Sequence, residues 1–189
     1  MKKVITLRNV IRTLVIVVLI FSIITYFTSP VEKAANGNLE TGDEIMINKP
    51  LPEVYAYVSN SANAAKWSSF VDHISLLEGE DGQLHCKRRC FKNEDETGLQ
   101  WDEEILLVDP MKTRRLSIYN AKGFAIYIDG LITEQRYSQE GNDASLNLVL
   151  ILPKGASLWD KIKFYIGAYK VKSVFTSNLK NIKNRIEEQ

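Results

Sequence analysis

The stretch that decides the fold is SLWDKIKFYIGAYKVKSVFTSNLKNIKNRIEE, residues 157–188 of a chain of 189 residues. Its apolar residues recur at steps of three and four, the spacing of one helix face, while most of its lysines occupy other positions. The apolar positions are Leu158, Ile162, Tyr165, Ile166, Tyr169, Phe175, Leu179, Ile182 and Ile186. The pattern predicts a long amphipathic helix. Gly167 could mark a break in it, because glycine costs about 1 kcal/mol inside a helix.

Upstream of this helix, seven segments have the apolar and β-branched composition of strands. They are residues 43–48, 71–78, 83–92, 100–109, 113–120, 123–138 and 144–153. Short turns separate most of them, and connections this short join antiparallel neighbours. Residues 53–60 and 62–70 are instead predicted as two short helices. The sequence therefore predicts the α+β class: a curved antiparallel sheet of about seven strands, two short helices after strand 1, and a C-terminal helix that covers the apolar face.

Residues 13–31, TLVIVVLIFSIITYFTSPV, contain no charge. As a helix they would span about 28 Å, close to the ~30 Å hydrocarbon thickness of a bilayer. We predict a transmembrane anchor here, preceded by a basic segment, 1–12, and followed by a linker, 32–42, and a domain, 43–189. A cleaved signal peptide is the main alternative, but its apolar core would be only ~7–15 residues long and would end at a small-x-small cleavage site.

The charges around this span predict its orientation. Four cations and no acid lie among residues 1–12, whereas a single lysine, beside a glutamate, closely follows the span. The positive-inside bias then predicts a single-pass protein of the cell membrane, with a cytoplasmic N-terminus and an extracytoplasmic domain. The whole chain has a formal net charge of +1, so the remainder carries −3. Domains that bind nucleic acid usually carry a basic surplus, and no nucleic-acid partner is expected.

Four stretches together resemble a known superfamily. They are INKPLPEVYAYVSN (47–60), AKWSSF (65–70), LLVDP (106–110) and FTSNLKNIKNRIEE (175–188). In this order they resemble the helix-grip superfamily SRPBCC, which includes START-like lipid-transfer domains and the birch-pollen-allergen group. More narrowly, they are similar to its polyketide cyclase/dehydrase-like branch with an N-terminal transmembrane helix. The resemblance implies a cavity between the sheet and the C-terminal helix, where relatives hold lipids, sterols, aromatic metabolites or substrates; it does not identify the ligand.

HCKRRC, residues 85–90, holds both cysteines and one of the two histidines. On a strand, Cys86, Arg88 and Cys90 share one face, and His85 lies on the other. The two thiols would then be ~13 Å apart along the strand, which is too far for a disulfide. We therefore interpret both cysteines as sheltered residues that face the cavity. A tight turn in this stretch would reopen a redox or metal-binding interpretation.

Seven residues are candidate cavity-lining ligand contacts: Trp67, Phe70, Cys86, Arg88, Cys90, Trp101 and Tyr127. Aromatic side chains belong to cores more often than to ligand sites, and both roles stay open for the four aromatic residues. A buried arginine needs a partner. For Arg88 this would be Glu103 or Glu134 in an internal ion pair, or a carboxylate or phosphate of a ligand.

The sequence contains no dependable catalytic constellation. The consecutive acids at 102–104 alternate between strand faces, and Ser68 and Ser69 lack a convincing histidine partner. Neither zinc-ligand spacing nor a cofactor-binding fingerprint is found, so no metal and no cofactor are expected, and an enzyme is not favoured.

The function predicted from these observations is a membrane-anchored binding protein for an apolar or amphipathic small molecule or lipid. A cyclase or dehydratase-type enzyme that uses the same cavity is one alternative. An envelope protein-interaction module without a ligand is another. Residues 157–170, which combine Trp159 with several lysines, could also rest on an anionic membrane surface.

Overall fold

The computed structural model describes residues 7–188. Its elements are α1 (Leu7–Thr28), β1 (Glu32–Lys33), β2 (Leu39–Ile47), α2 (Leu51–Ser59), a 3₁₀ turn (Ser61–Asn63), α3 (Ala64–Trp67), β3 (His73–Glu78), β4 (Lys87–Phe91), β5 (Gln100–Asp109), β6 (Thr113–Lys122), β7 (Leu131–Glu140), β8 (Asp143–Leu152) and α4 (Leu158–Glu187). Lys2 and Lys3, two of the cations on which the predicted orientation depends, lie outside the described residues.

The strands form one antiparallel sheet in the order β1-β2-β8-β7-β6-β5-β4-β3. Successive strands pair with their neighbours in sequence, except that β2 pairs with β8, from Leu39 opposite Leu152 to Ile47 opposite Ala144. Side chains alternate between the two faces of a sheet, and one face packs against α4. We call this the inner face and the opposite one the outer face. The α+β class, the antiparallel sheet and the terminal helix are thus confirmed.

α4 is continuous along its 30 residues. It begins after Ser157, whose side chain accepts a hydrogen bond from the backbone N–H of Asp160 at 3.1 Å, and so caps the helix. The predicted break at Gly167 is wrong. Phe164 and Ala168, on either side of that glycine, are buried against the domain, and tertiary packing of this kind outweighs the low helix propensity of one glycine.

Two segments differ from the sequence-based assignment. The expected linker, 32–42, instead contains β1 and the beginning of β2, because its residues from Leu39 onward pair with β8. The expected strand 123–138 begins only at Leu131. Gly123 and Gly130 both adopt positive φ, 78° and 73°, a conformation that glycine tolerates readily, and residues 123–130 between them form a loop. We call this segment the β6–β7 loop.

The N-terminal helix α1 contains no buried residue and is long and apolar enough to cross a membrane. It includes Arg8 and Arg12, so the helix extends beyond the predicted span at its basic end. Its other end lies against α4. The rings of Tyr26 and Tyr165 stack with centroids 5.4 Å apart, and Ser29 donates a hydrogen bond to the backbone carbonyl of Tyr165 at 2.9 Å.

Candidate ligand-binding cavity

A cavity of about 660 Å³ lies between the inner face of the sheet and the N-terminal half of α4. The short helices and the β6–β7 loop complete its wall. Ligand-binding pockets commonly occupy about 300–1,000 Å³, so this space is large enough for a small organic molecule or a lipid chain.

Most of the cavity wall is apolar. Alternate residues of β6 and β8 contribute aliphatic side chains from the sheet, and α4 contributes side chains from the opposite side. Representative members are Leu116, Ile118, Leu148, Leu150, Phe164, Val171 and Phe175. Gly167 also borders the cavity, and a Cβ added to it would meet no atom within 4 Å. The glycine that was expected to break α4 therefore leaves open space beside the helix.

Three aromatic rings from different segments meet at the cavity. Phe70 follows α3, Trp101 belongs to β5 and Phe124 lies in the β6–β7 loop, with centroids 5.7 to 6.1 Å apart. Aromatic pairs attract each other at this separation. Tyr127 borders the cavity from the same loop and donates a hydrogen bond to Asp129 at 2.7 Å. Burial and this hydrogen bond raise the pKa of Tyr127 to about 12.

Arg88 and Glu103 form a buried ion pair in the cavity wall, where β4 and β5 place them opposite each other. Arg88 donates two hydrogen bonds to one carboxylate oxygen, at 2.8 and 2.7 Å, and Trp101 donates its indole N–H to the other at 2.9 Å. Burial would raise the pKa of the Glu103 carboxyl, but Arg88 and Trp101 outweigh it and hold this pKa below its usual value. Glu103 is therefore an ionised, fully paired acid.

This geometry decides between the interpretations of Arg88. Its partner is Glu103, as the internal ion-pair alternative predicted. The other suggested partner, Glu134, is wrong: it lies on the outer face of the sheet, where Arg115 and Arg136 pair with it. The third nitrogen of Arg88, Nη1, donates to the hydroxyl of Ser61 at 2.5 Å, so each nitrogen of Arg88 already has a partner within the protein.

A second buried arginine, Arg114, borders the cavity. It is not among the candidate residues predicted from the sequence. It is 2% exposed, and one terminal nitrogen, Nη1, donates to the carbonyl of Ser59 at 3.1 Å. The other two nitrogens, Nε and Nη2, have no hydrogen-bond partner among residues 7–188. Burial and the nearby positive charge of Arg88 lower the pKa of Arg114. Its alternation with Leu116 and Ile118, two inward apolar residues of β6, was the available sequence signal.

The two cysteines occupy different environments. Both are free thiols, but only Cys90 borders the cavity. Cys86 packs instead with Ile105 and Leu116 in a small core cluster, which corrects its assignment to the cavity wall. The chain turns before β4 begins, with His85 at φ 63°, so Cys86 precedes the strand. Burial and the neighbouring Glu103 raise the pKa of the Cys90 thiol well above its usual value, which keeps it protonated.

The structure thus brings six of the seven candidate contacts to one cavity: Trp67, Phe70, Arg88, Cys90, Trp101 and Tyr127. Their contact with a ligand stays a prediction. Both histidines lie away from the cavity. His73 contacts Asp72 at 2.9 Å, and His85 contacts Glu104 at 3.1 Å.

Solved structures with similar folds come from plants and bacteria. The Zhui aromatase/cyclase from Streptomyces sp. R1128 aligns over 79% of this chain and 93% of its own, with a TM-score of 0.61 and 14% identity. The major latex-like protein 151 from Panax ginseng aligns over 77% and 95%, with a TM-score of 0.58 and 12% identity. XoxI from Bacillus cereus aligns over 79% and 96%, with a TM-score of 0.57 and 16% identity.

Comparison with protein-family models finds no match, and comparison with curated proteins finds none either. The similarity to the solved structures, at 12–16% identity, therefore concerns the fold and does not transfer an activity. At that level it agrees with the resemblance seen in the sequence: the chain has a helix-grip fold, with an apolar helix at its N-terminus.

Proposed function

We propose that this protein binds an apolar or amphipathic small molecule or lipid in the cavity between its sheet and α4, without covalent chemistry. The observation that carries the proposal is the cavity itself: about 660 Å³ lined mostly by aliphatic and aromatic side chains. Burial of apolar ligand surface stabilises a complex by about 25 cal/mol per Å². The few polar groups in the wall would orient the ligand.

The polar groups support binding rather than acid–base or nucleophilic catalysis. Glu103 is ionised and engaged by Arg88 and Trp101, and its lowered pKa makes it a poor proton donor near neutral pH. Cys90 is a poor nucleophile for the opposite reason, because its raised pKa leaves little thiolate. These two residues are the natural candidates for an enzyme in this cavity, and their environments do not suit that role.

We propose further that α1 anchors the domain to the cell membrane, with the domain on the extracytoplasmic side. The half of α4 that contacts α1 also exposes large apolar side chains: Leu158, Trp159, Ile162, Ile166 and Tyr169. Trp159 is 73% exposed, and tryptophan favours the membrane–water interface. Lysines flank these residues along the helix, a composition suited to a membrane surface.

The binding proposal is tested by filling the cavity from α4. Gly167→Phe places a ring where a Cβ now meets open space, whereas Gly167→Ala adds one carbon and serves as the matched control. Native mass spectrometry of the full-length chain, released from mild detergent, should show a co-purified small molecule on wild type and Gly167→Ala. Gly167→Phe should lose it. Two results would contradict the proposal. The folded Gly167→Phe variant could carry as much of the small molecule as wild type, or the wild-type protein could carry none and bind no added lipid or fatty acid.

The orientation is tested by thiol labelling of intact cells. Both native cysteines are buried, while Asn142 lies on an exposed turn between β7 and β8, so Asn142→Cys supplies one accessible thiol. If the domain is extracytoplasmic, a membrane-impermeant maleimide should label this thiol fully once any layer outside the cell membrane has been permeabilised, while the cell membrane itself is intact. Labelling only after the cell membrane is lysed would place the domain in the cytoplasm and contradict the proposed orientation.

A further inference from the structure

The guanidinium of Arg114 presents an unoccupied edge. Of its three nitrogens, only Nη1 has a partner, the carbonyl oxygen of Ser59 at 3.1 Å. Nε and Nη2, which form the side edge of the planar group, have none among residues 7–188. The side chain is 2% exposed and borders the cavity, so bulk water does not solvate this edge.

Two neighbouring arginines show what such an edge binds. Nε and Nη2 of Arg88 both donate to Glu103, at 2.8 and 2.7 Å. The same two nitrogens of Arg89 donate to Asp102, at 2.6 and 3.0 Å. Both arginines thus use this edge to hold a carboxylate: Arg88 directs its two N–H groups to a single oxygen, whereas Arg89 directs one to each oxygen. The bidentate arrangement of Arg89 is among the stronger hydrogen-bonded contacts in proteins. Arg114 has the same donor edge without the carboxylate.

Two carboxylates, Glu103 and Asp81, lie near enough to offset part of the effect of burial, which lowers the pKa of Arg114, but neither forms a hydrogen bond with the Nε or Nη2 of this arginine. Glu103 is occupied by Arg88 and Trp101. Gln135, opposite Arg114 on β7, accepts a hydrogen bond from Tyr137 at 2.8 Å. A buried charge without a partner is costly, and a bound anion would remove that cost.

We propose that the ligand carries a carboxylate, and that the free edge of Arg114 binds it. This inference rests on the proposed function, since it requires that the cavity holds a ligand. The ligand class is then a fatty acid or an aromatic carboxylic acid. Its hydrocarbon part packs against the aliphatic and aromatic wall, and its carboxylate lies at the Arg114 end. Lys163 and Lys170 of α4 also border the cavity, so its charges favour an anion over a cation.

Quenching of tryptophan fluorescence by a bound brominated ligand can report binding at this site in the full-length chain. The protein has three tryptophans; Trp67 and Trp101 border the cavity, whereas Trp159 is exposed on α4. A Trp159→Phe background therefore restricts fluorescence to the two cavity residues. The probes are 12-bromododecanoic acid and 12-bromododecan-1-ol, added to protein in lipid nanodiscs. Every variant is measured at the same lipid concentration, so that partition of each probe into lipid is identical across variants.

The acid should quench the cavity tryptophans, and Arg114→Met should weaken its apparent affinity about tenfold or more, the effect of losing a charge-assisted hydrogen-bonded pair. The same substitution should leave the affinity for the alcohol within about twofold. Arg115→Met is the matched control: Arg115 is the next residue but lies on the outer face, paired with Glu134, and its loss should change neither probe. Arg114→Lys keeps the charge but not the paired donors, so its affinity for the acid should lie between those of wild type and Arg114→Met.

The outcomes separate this inference from the proposed function. If neither probe quenches Trp67 and Trp101 in folded wild-type background, the cavity binds no such molecule and both proposals fail. If both probes quench and Arg114→Met weakens them equally or not at all, the cavity binds ligands but the carboxylate assignment is overturned. Should Arg114→Met fail to fold, Arg114→Lys decides: an acid affinity equal to that of the parent overturns the assignment.

Discussion

The two halves of α4 meet the same sheet in opposite ways. Toward the C-terminus, Leu179, Ile182 and Ile186 are buried in a closed core with Ile47, Leu146 and other residues of β2, β8 and α2. Toward the N-terminus, α4 instead faces the cavity, and Gly167 stands where a larger side chain would intrude. We call the C-terminal part the closed half and the N-terminal part the hollow half. Because packing in the closed half can hold α4 on the sheet, the hollow half can keep its cavity. Stability and ligand binding are thus assigned to different parts of one interface.

The polar groups follow the same division. Glu103, Arg88 and Arg114 are all buried at the hollow half, whereas the closed core cluster is built from apolar side chains. A buried ion pair contributes little net stability compared with apolar packing, but removing one partner leaves an uncompensated charge. The hollow half should therefore tolerate loss of apolar surface better than loss of a charge, and the closed half should be sensitive to loss of a methyl group.

Breaking the Arg88–Glu103 pair should have the largest effect. Arg88→Met leaves the Glu103 carboxylate buried without its cation, and we expect a loss of about 3–5 kcal/mol in the free energy of unfolding. Denaturant titration of the full-length protein in micelles, followed by near-UV circular dichroism, measures it. Lys87→Met is the control, because Lys87 is adjacent on β4 but pairs with the exposed Glu78 on the other face; it should change little. Equal stability of the two variants would contradict the importance of the buried pair.

Truncating α4 in each half tests the comparison directly. Ile182→Ala removes a side chain that is 0% exposed in the closed core, and we expect a cost of about 2–5 kcal/mol. Val171→Ala removes two methylene equivalents but only enlarges a cavity that already exists, so its cost should be clearly smaller, below about twice the ~0.8 kcal/mol of one fully buried methylene. The same denaturant titration reports both. The division between a closed and a hollow half is wrong if the two substitutions cost the same.

The sequence predicted the closed half better than the hollow one. Helical spacing placed Leu179, Ile182 and Ile186 on one face of α4, and all three are buried. Two-residue alternation also placed Arg88 and Cys90 correctly, because both belong to β4. A closed core obeys such periodicities, since every apolar position of one face is used in the same way.

The incorrect predictions concern places where the chain departs from a regular helix or strand, or where a polar residue faces the interior. Cys86 was misplaced because a turn at His85 interrupts the alternation before β4 begins. The β6–β7 loop, rich in apolar residues, was mistaken for strand. Arg114 was missed because a cation on a strand is ordinarily read as a surface residue, and only its alternation with Leu116 indicates the inner face. Whether its guanidinium has a partner depends on distant segments, which periodicity does not describe.

The smallest expected effect is a pH dependence at the hollow half. Because the pKa of Glu103 in the folded protein lies below its usual value, its ionised form contributes stability above the unfolded-state pKa of about 4.3. That contribution is lost as the pH falls through the lower, folded-state pKa. Glu103→Gln removes it at every pH, so the difference in unfolding free energy between wild type and this variant should shrink as the pH falls below about 4.3.

Denaturant titrations of both proteins at neutral pH and at several acidic values measure that difference. Asp102 and Glu134 lie on the outer face and are present in both proteins. Hydrogen bonds from arginine partners lower the pKa values of these two carboxyls despite their burial. Their titration therefore cancels in the comparison, and what remains belongs to the buried pair. A difference that stays constant from pH 7 into the acid range would mean that Glu103 titrates alike in the folded and unfolded chain. The ion pair would then shape the cavity wall without contributing to the pH dependence of its stability.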